Sequence, residues 1–165
     1  NFHSTRCRLK IISLMYRLNE LDFSSWHNRA AGAPQAQMFD GDTGSGRLAK
    51  LRILLAEDEI FVSMALEAEL IAQGADIIGP VMSLAAGIEL IDSGVEVDGA
   101  ILDVNLGDAL VFPLAEMLRE RGVPIIFHTA LGDREEFTRD FPEASVCVKP
   151  TLPQELIGQA AALFG

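Results

Sequence analysis

From Leu51 onward the chain alternates between short runs that are apolar throughout and longer stretches with apolar residues three or four positions apart. The first kind predicts strands at Leu51 to Ala56, Asp76 to Val81, Gly99 to Leu102, Val123 to His128 and Ser145 to Val148. The second predicts helices over Ile60 to Gln73, Ser83 to Asp92, Val111 to Arg121 and Pro153 to Phe164. Runs such as Ile53-Leu54-Leu55 and Ile125-Ile126-Phe127 do not alternate with polar residues, as strands buried on both faces of a parallel sheet require. Gly74 and Gly122 follow helices as stop signals, and Pro80 and Pro124 punctuate strands. Between Thr129 and Lys149 the helical candidate is Asp133 to Asp140, closed by Pro142, which predicts a short or irregular fourth helix. The pattern is five βα units, an α/β domain with a doubly wound parallel sheet.

The first 50 residues lack this order. Leu9, Ile12 and Tyr16 could share one side of a short helix, Ser24 to Gln37 has little periodicity, and Asp40-Gly-Asp-Thr-Gly-Ser-Gly46 reads as a flexible linker. The organisation expected is a leader and linker over 1–50 and a single globular domain over 51–165. The Gly41 to Leu48 stretch imitates the spacing of a phosphate-binding loop, but Arg47-Leu48 stands where Lys-Ser/Thr is needed, and a strand follows instead of preceding it.

Charge sharpens the division. The net charge is −11, yet residues 1–50 carry seven Lys/Arg against four Asp/Glu, while residues 51–165 carry six against twenty. A domain this acidic repels phosphate backbones, so proteins or cations are the expected partners and nucleic acid is not. No apolar run reaches the roughly 20 residues a membrane-spanning helix needs. Cys7 and Cys147 are far apart and show neither a disulfide framework nor metal-ligand spacing, which suits a reducing cytoplasm.

Candidate chemistry collects where ligands bind in such folds, at the carboxyl ends of the strands. The first strand runs into Glu57-Asp58-Glu59, the third ends at Asp103, the fourth at Thr129 and the fifth at Lys149-Pro150. Clustered carboxylates call for a cation, and oxygen-only ligands favour Mg2+. Held by Asp58, Asp103 and the main-chain carbonyl of Asn105, the ion would draw a phosphoryl group toward the free oxygen of Asp103, a nucleophile that would become an acyl phosphate. Phosphoryl transfer is mostly positioning and charge neutralisation, for which the Lys149 ammonium and the Thr129 hydroxyl are suited, with small Ala130 leaving room.

Four motifs in order, Ile53-Leu-Leu-Ala-Glu-Asp-Glu59, Ile101-Leu-Asp-Val-Asn-Leu106, Phe127-His-Thr-Ala130 and Val148-Lys-Pro150, resemble the receiver domains of two-component response regulators across nearly all of residues 51–165. The resemblance implies a (βα)5 flavodoxin-like sheet of order 2-1-3-4-5. It implies Glu57 and Asp58 as an acidic pair holding Mg2+ with Asp103 and Asn105, Asp103 as phosphoacceptor, Thr129 as switch hydroxyl and Lys149 as phosphate contact. It also implies a histidine kinase or phosphotransfer protein as donor, self-catalysed phosphorylation and dephosphorylation in place of substrate turnover, and a downstream protein partner. Val146 stands three residues before Lys149, where receivers usually carry Tyr or Phe. With the short fourth helix, this makes the chain similar to stand-alone alphaproteobacterial receivers that lack the aromatic switch.

Competing readings are narrower. Glu59 fits a first helical turn, where a carboxylate favours the helix dipole. His128 is expected to be a packed or rim histidine, because Thr129 beside it would point to the opposite face. An aspartyl phosphatase of haloacid-dehalogenase type would want a second Asp two residues after the nucleophile, and that position is Asn105. A degenerate receiver serving as a constitutive scaffold is disfavoured because no site residue is missing.

Overall fold

The computed structural model describes residues 46–107, 109–130 and 139–165. Its elements in chain order are β1 (Arg52–Ala56), α1 (Ile60–Ala72), β2 (Asp76–Val81), α2 (Leu84–Asp92), β3 (Gly99–Asp103), β4 (Asn105–Leu106), β5 (Ala109–Leu110), α3 (Phe112–Glu120), β6 (Ile125–Thr129), β7 (Ser145–Val148) and α4 (Pro153–Phe164). The main sheet has five parallel strands in the order β2-β1-β3-β6-β7, which is the expected 2-1-3-4-5 arrangement of the five long strands. The expected fourth helix falls mainly on residues 131–138, outside the described residues, as does the leader up to residue 45.

Each face of the sheet is covered, and each has its own core. Leu54, Ala56, Leu102 and Phe127 point to the side of α2 and α3, where Ile91, Leu114 and Leu118 close over them. Ile53, Leu55, Ile101, Ile126 and Cys147 point to the side of α1 and α4, against Leu66, Leu70, Leu156 and Ile157. Strands β3 and β6 are buried along their whole length, which accounts for the apolar runs that precede Asp103 and His128. On the first face, Phe112, Phe127 and Phe141 form a cluster: Phe127 and Phe141 meet edge to face at 5.2 Å, and Phe112 stacks on Phe141 at 6.1 Å.

Two features differ from the pattern read in the sequence. A two-stranded antiparallel ribbon, β4 with β5, follows Asp103, turning at Gly107 with φ +68; each strand is two residues long, too short to leave a periodicity. The packed domain also begins earlier than residue 51. Leu48 is fully buried on the α1/α4 side, its N–H donates to Gln73 O at 3.2 Å, and Lys50 N–H donates to Gly74 O at 2.9 Å. Gly46, which reads as linker, lies so close to the Gln73 carbonyl that a Cβ there would sit 1.9 Å from its oxygen.

At the opposite end of the sheet from the acidic residues, Arg52 is locked to Asp98. The Arg52 N–H and Nε–H donate to Asp98 Oδ2 at 2.8 and 2.9 Å, and Nη2 reaches Oδ1 at 2.9 Å. Asp98 is thereby held at about 2, well under the ordinary carboxylate range. This bidentate clamp ties the start of β1 to the turn that enters β3.

Candidate phosphoryl site

Parallel strands deliver their carboxyl ends to one edge, so residues that are distant in sequence meet there. Strand alternation decides which of them share a face. Ile53 and Leu55 lie on the α1/α4 side and so does Glu57 next in that series; Ile101 leads to Asp103, Ile126 to His128, and Cys147 to Lys149. Thr129 continues the other series, after Ile125 and Phe127, and is fully buried.

Lys149 is the hub. Its Nζ donates to Asp103 Oδ2 at 2.7 Å, to Glu57 Oε1 at 2.9 Å and to Glu59 Oε1 at 3.3 Å. Its backbone N–H donates to the Thr129 carbonyl at 2.7 Å, which sets β7 beside β6 at the edge. Asp103 Oδ1 accepts the Asn105 N–H at 3.0 Å, and Asp58 Oδ2 accepts the Gly107 N–H at 2.9 Å, so the loop carrying the ribbon is pinned to both carboxylates. Glu57 Oε1 also accepts the Glu59 N–H at 3.3 Å.

Burial and charge set the protonation of this group. Burial raises Asp103 above the ordinary carboxylate range, and the Glu57 charge adds to that, against the opposing pull of Lys149 and the Asn105 N–H. For Glu57 burial also disfavours the charged form, but the facing His128 and the Lys149 ammonium outweigh it and hold Glu57 below its usual range. Lys149 is raised: burial works against its charge, and Asp103 and Glu57 more than compensate.

The expected residues are thus largely brought together. One oxygen from each of Glu57, Asp58 and Asp103 lies within 4.8 Å of the others. This donor set fits a hard divalent cation: all the side-chain donors are oxygens, Asp58 is only half-buried, and Glu57 Oε2 is a buried carboxylate oxygen that accepts no well-aligned hydrogen bond among the described residues, with the Lys149 ammonium 2.9 Å away as its ion-pair partner. Thr129 ends the neighbouring strand, as expected. Two residues behave differently from the sequence reading. Glu59 is the N-cap of α1, and its largely exposed side chain extends to Lys149. His128 is packed, as expected, at 4% exposure, but it lies on the side of the acidic cluster: its Nδ1 is 3.4 Å from Glu57 Oε2. His128 and Thr129 do point to opposite faces. The face that holds the charged side chains is the one His128 shares, a placement that alternation along β6 alone could not reveal.

No family model and no curated protein matches the sequence. Solved structures do match. A response regulator receiver protein from Sinorhizobium medicae superposes with a TM-score of 0.63 at 25% identity, over 70% of this chain and 94% of that one. The receiver domain of the Francisella response regulator 1452 gives 0.60 at 20% identity, over 70% and 97%. The response regulator TrrA from Thermotoga maritima, solved in complex with Mg2+ and BeF, gives 0.58 at 24% identity, over 68% and 98%. No helix among the described residues is long and apolar enough to cross a membrane. Sheet order, helix placement and these likenesses together establish that the chain carries the fold of response-regulator receiver domains.

Proposed function

We propose that this protein is a phosphorylation-controlled signalling module of a two-component phosphorelay, accepting a phosphoryl group on Asp103 from a histidine kinase or phosphotransfer protein. The observation that carries the reading is the Lys149 ammonium, 2.7 Å from a buried Asp103 and 2.9 Å from Glu57, beside carboxylates spaced for one divalent cation. Glu57, Asp58, Asp103 and the Asn105 carbonyl would hold Mg2+, which when bound neutralises the carboxylates and the incoming phosphoryl oxygens. Lys149 would contact the remaining charge on the transferred group, and Thr129, buried at the end of β6, would supply a hydroxyl only by turning toward it.

The chemistry asked of the chain is modest. An Asp103 oxygen attacks phosphorus, the bond from phosphorus to the donor nitrogen breaks, and the electron pair returns to the donor's imidazole, leaving an acyl phosphate on Asp103. Asp103 already has one oxygen fixed by the Asn105 N–H, so the attacking oxygen is the one now held by Lys149. Water attack on the same phosphorus would reverse the state, so phosphorylation and its loss belong to the domain itself. A donor protein must approach this edge, and Ile60, Phe61 and Met64 at the start of α1 and Leu152 before α4 are large exposed apolar side chains suited to a protein partner. Val146 in place of an aromatic residue supports a readout through Thr129 and the segment after β6, as in stand-alone receivers without the aromatic switch. The excess of acidic residues over 51–165 suits a protein with no nucleic-acid partner, and the cysteine pattern suits a reducing cytoplasm.

Intact-mass measurement after incubation with acetyl phosphate tests this reading, with Mg2+ or with EDTA, on the native protein and Asp103→Asn. A single phosphoryl adduct that requires Mg2+ and disappears in the variant is expected. A native protein that binds no Mg2+ and takes up no adduct would instead be a scaffold that has lost receiver chemistry.

A further inference from the structure

Three buried side-chain atoms make no well-aligned hydrogen bond among the described residues, and they are neighbours: Glu57 Oε2, which the Lys149 ammonium approaches to 2.9 Å as an ion pair, His128 Nδ1 and His128 Nε2. Such atoms are uncommon in a packed interior and call for an explanation. Glu57 is only 1% exposed and carries a charge, yet the ammonium that balances it also serves Asp103 and Glu59. A phosphoryl group on Asp103 would claim that ammonium for itself. Glu57 Oε1 would keep the Glu59 N–H, and Oε2 would keep nothing from the groups already described.

The imidazole of His128 is placed to fill that gap. Its Nδ1 stands 3.4 Å from Glu57 Oε2, about 0.5 Å beyond an ordinary N–H···O distance, which a small ring rotation closes. A neutral imidazole has one N–H. Put on Nε2, it would be a buried donor without an acceptor, and the Nδ1 lone pair would face the lone pairs of a carboxylate. Put on Nδ1, it faces the acceptor. His128 is held there by the sheet: it pairs in register with Asp103 on one side and Cys147 on the other, next to the carboxyl end of buried β6.

We infer that His128 is a positioning residue of the acidic site, its Nδ1–H donating to Glu57 Oε2 so that this carboxylate stays oriented toward the cation, with Lys149 shared among its other partners or turned to the phosphoryl group. The inference rests on the receiver reading above and adds to it a residue outside the expected set. Hydrogen-bond donors behind metal-holding carboxylates commonly change metal affinity by 10- to 100-fold when removed. His128→Phe fills the same space without a donor, whereas His128→Asn presents an amide N–H close to the place of Nδ1.

Calorimetric titration of the full chain with Mg2+ distinguishes the possibilities. His128→Phe is expected to bind Mg2+ about tenfold more weakly than the native protein, and His128→Asn to recover most of that loss. Equal affinity in native and Phe variants would overturn the inference, as would an Asn variant as weak as Phe, which would mean that only ring volume matters. A second measurement needs no variant to fold: 15N spectra of the native protein should show the His128 proton on Nδ1, and a proton on Nε2 would overturn the assignment. The adduct measurement on native protein separates the two claims. Phosphorylation with unchanged Mg2+ affinity in His128→Phe removes the His128 role alone, while a native protein that takes neither Mg2+ nor phosphoryl removes both.

Discussion

Lys149→Met keeps the length and apolar stem of the side chain and removes its charge. In the native protein that charge lies 2.7 Å from Asp103 and 2.9 Å from Glu57, and the three side chains are 14%, 7% and 1% exposed. Removing one member of a buried ion pair costs about 3–5 kcal/mol, because the partner is left charged and desolvated. Here one carboxyl can take up a proton in compensation, Asp103 first, since burial already raises it, so about 2–4 kcal/mol is expected at neutral pH. For a domain of this size that lowers the melting temperature by roughly 10 °C. Urea denaturation followed by far-ultraviolet circular dichroism in EDTA measures the loss. Two further arms test the cause. In an Asp103→Asn background the same substitution should cost about half as much, because one of the two stranded carboxylates is gone. In saturating Mg2+ the loss should also shrink, because the cation replaces the missing charge. A cost under about 1 kcal/mol in EDTA, or an equal cost in both backgrounds, would refute the view that Lys149 is the electrostatic keystone of this edge.

Asp98 makes the acid side of the stability profile testable. Its pKa in the fold, about 2, lies below the ordinary carboxylate value, so the stability it supplies is present above pH 4 and is lost as pH falls through 4 toward 2. With the carboxylate about a third exposed, roughly 1 kcal/mol is at stake after solvent screening. Asp98→Asn should flatten that part of the curve relative to native protein, and parallel curves would count against the clamp. Phe141→Ala removes a 4%-exposed ring that meets Phe127 and Phe112 and lies under the Arg119 guanidinium at 5.9 Å. A loss of about 3–4 kcal/mol in urea denaturation is expected, and a loss below 1 kcal/mol would show that the cluster collapses without it.

The elements were legible because the parallel sheet leaves a strong mark: Ile53 to Leu55 and Ile125 to Phe127 are apolar without interruption, and the residues after each run mark the charged edge. For the described elements, strand and helix limits agree with the sequence reading to within two residues. Other features carry no local signal. Whether His128 or Thr129 shares a face with Asp103 depends on how β6 is set against β3, a relation between segments 25 residues apart in which Asp103 aligns with His128. The β4/β5 ribbon depends on hydrogen bonds from Asn105 and Gly107 to carboxylates, not on propensity. Glu59 at the helix start looks like a dipole residue from its position alone, and its contact with Lys149 exists only once β7 lies beside β6.

The close seat of Gly46 against the Gln73 carbonyl has a practical consequence for dissecting the protein. A fragment begun at residue 51, where the repeating pattern starts, would discard Leu48 and the backbone bonds from Leu48 and Lys50 that cover the end of α1. The exposed socket would cost about 1.5–3 kcal/mol in lost burial and leave an apolar opening beside Leu70. Any shortened version meant for binding or phosphorylation assays should therefore keep Gly46 onward, and a tag fused directly to residue 51 would be expected to yield a less stable, more self-associating product than one fused upstream of Gly46.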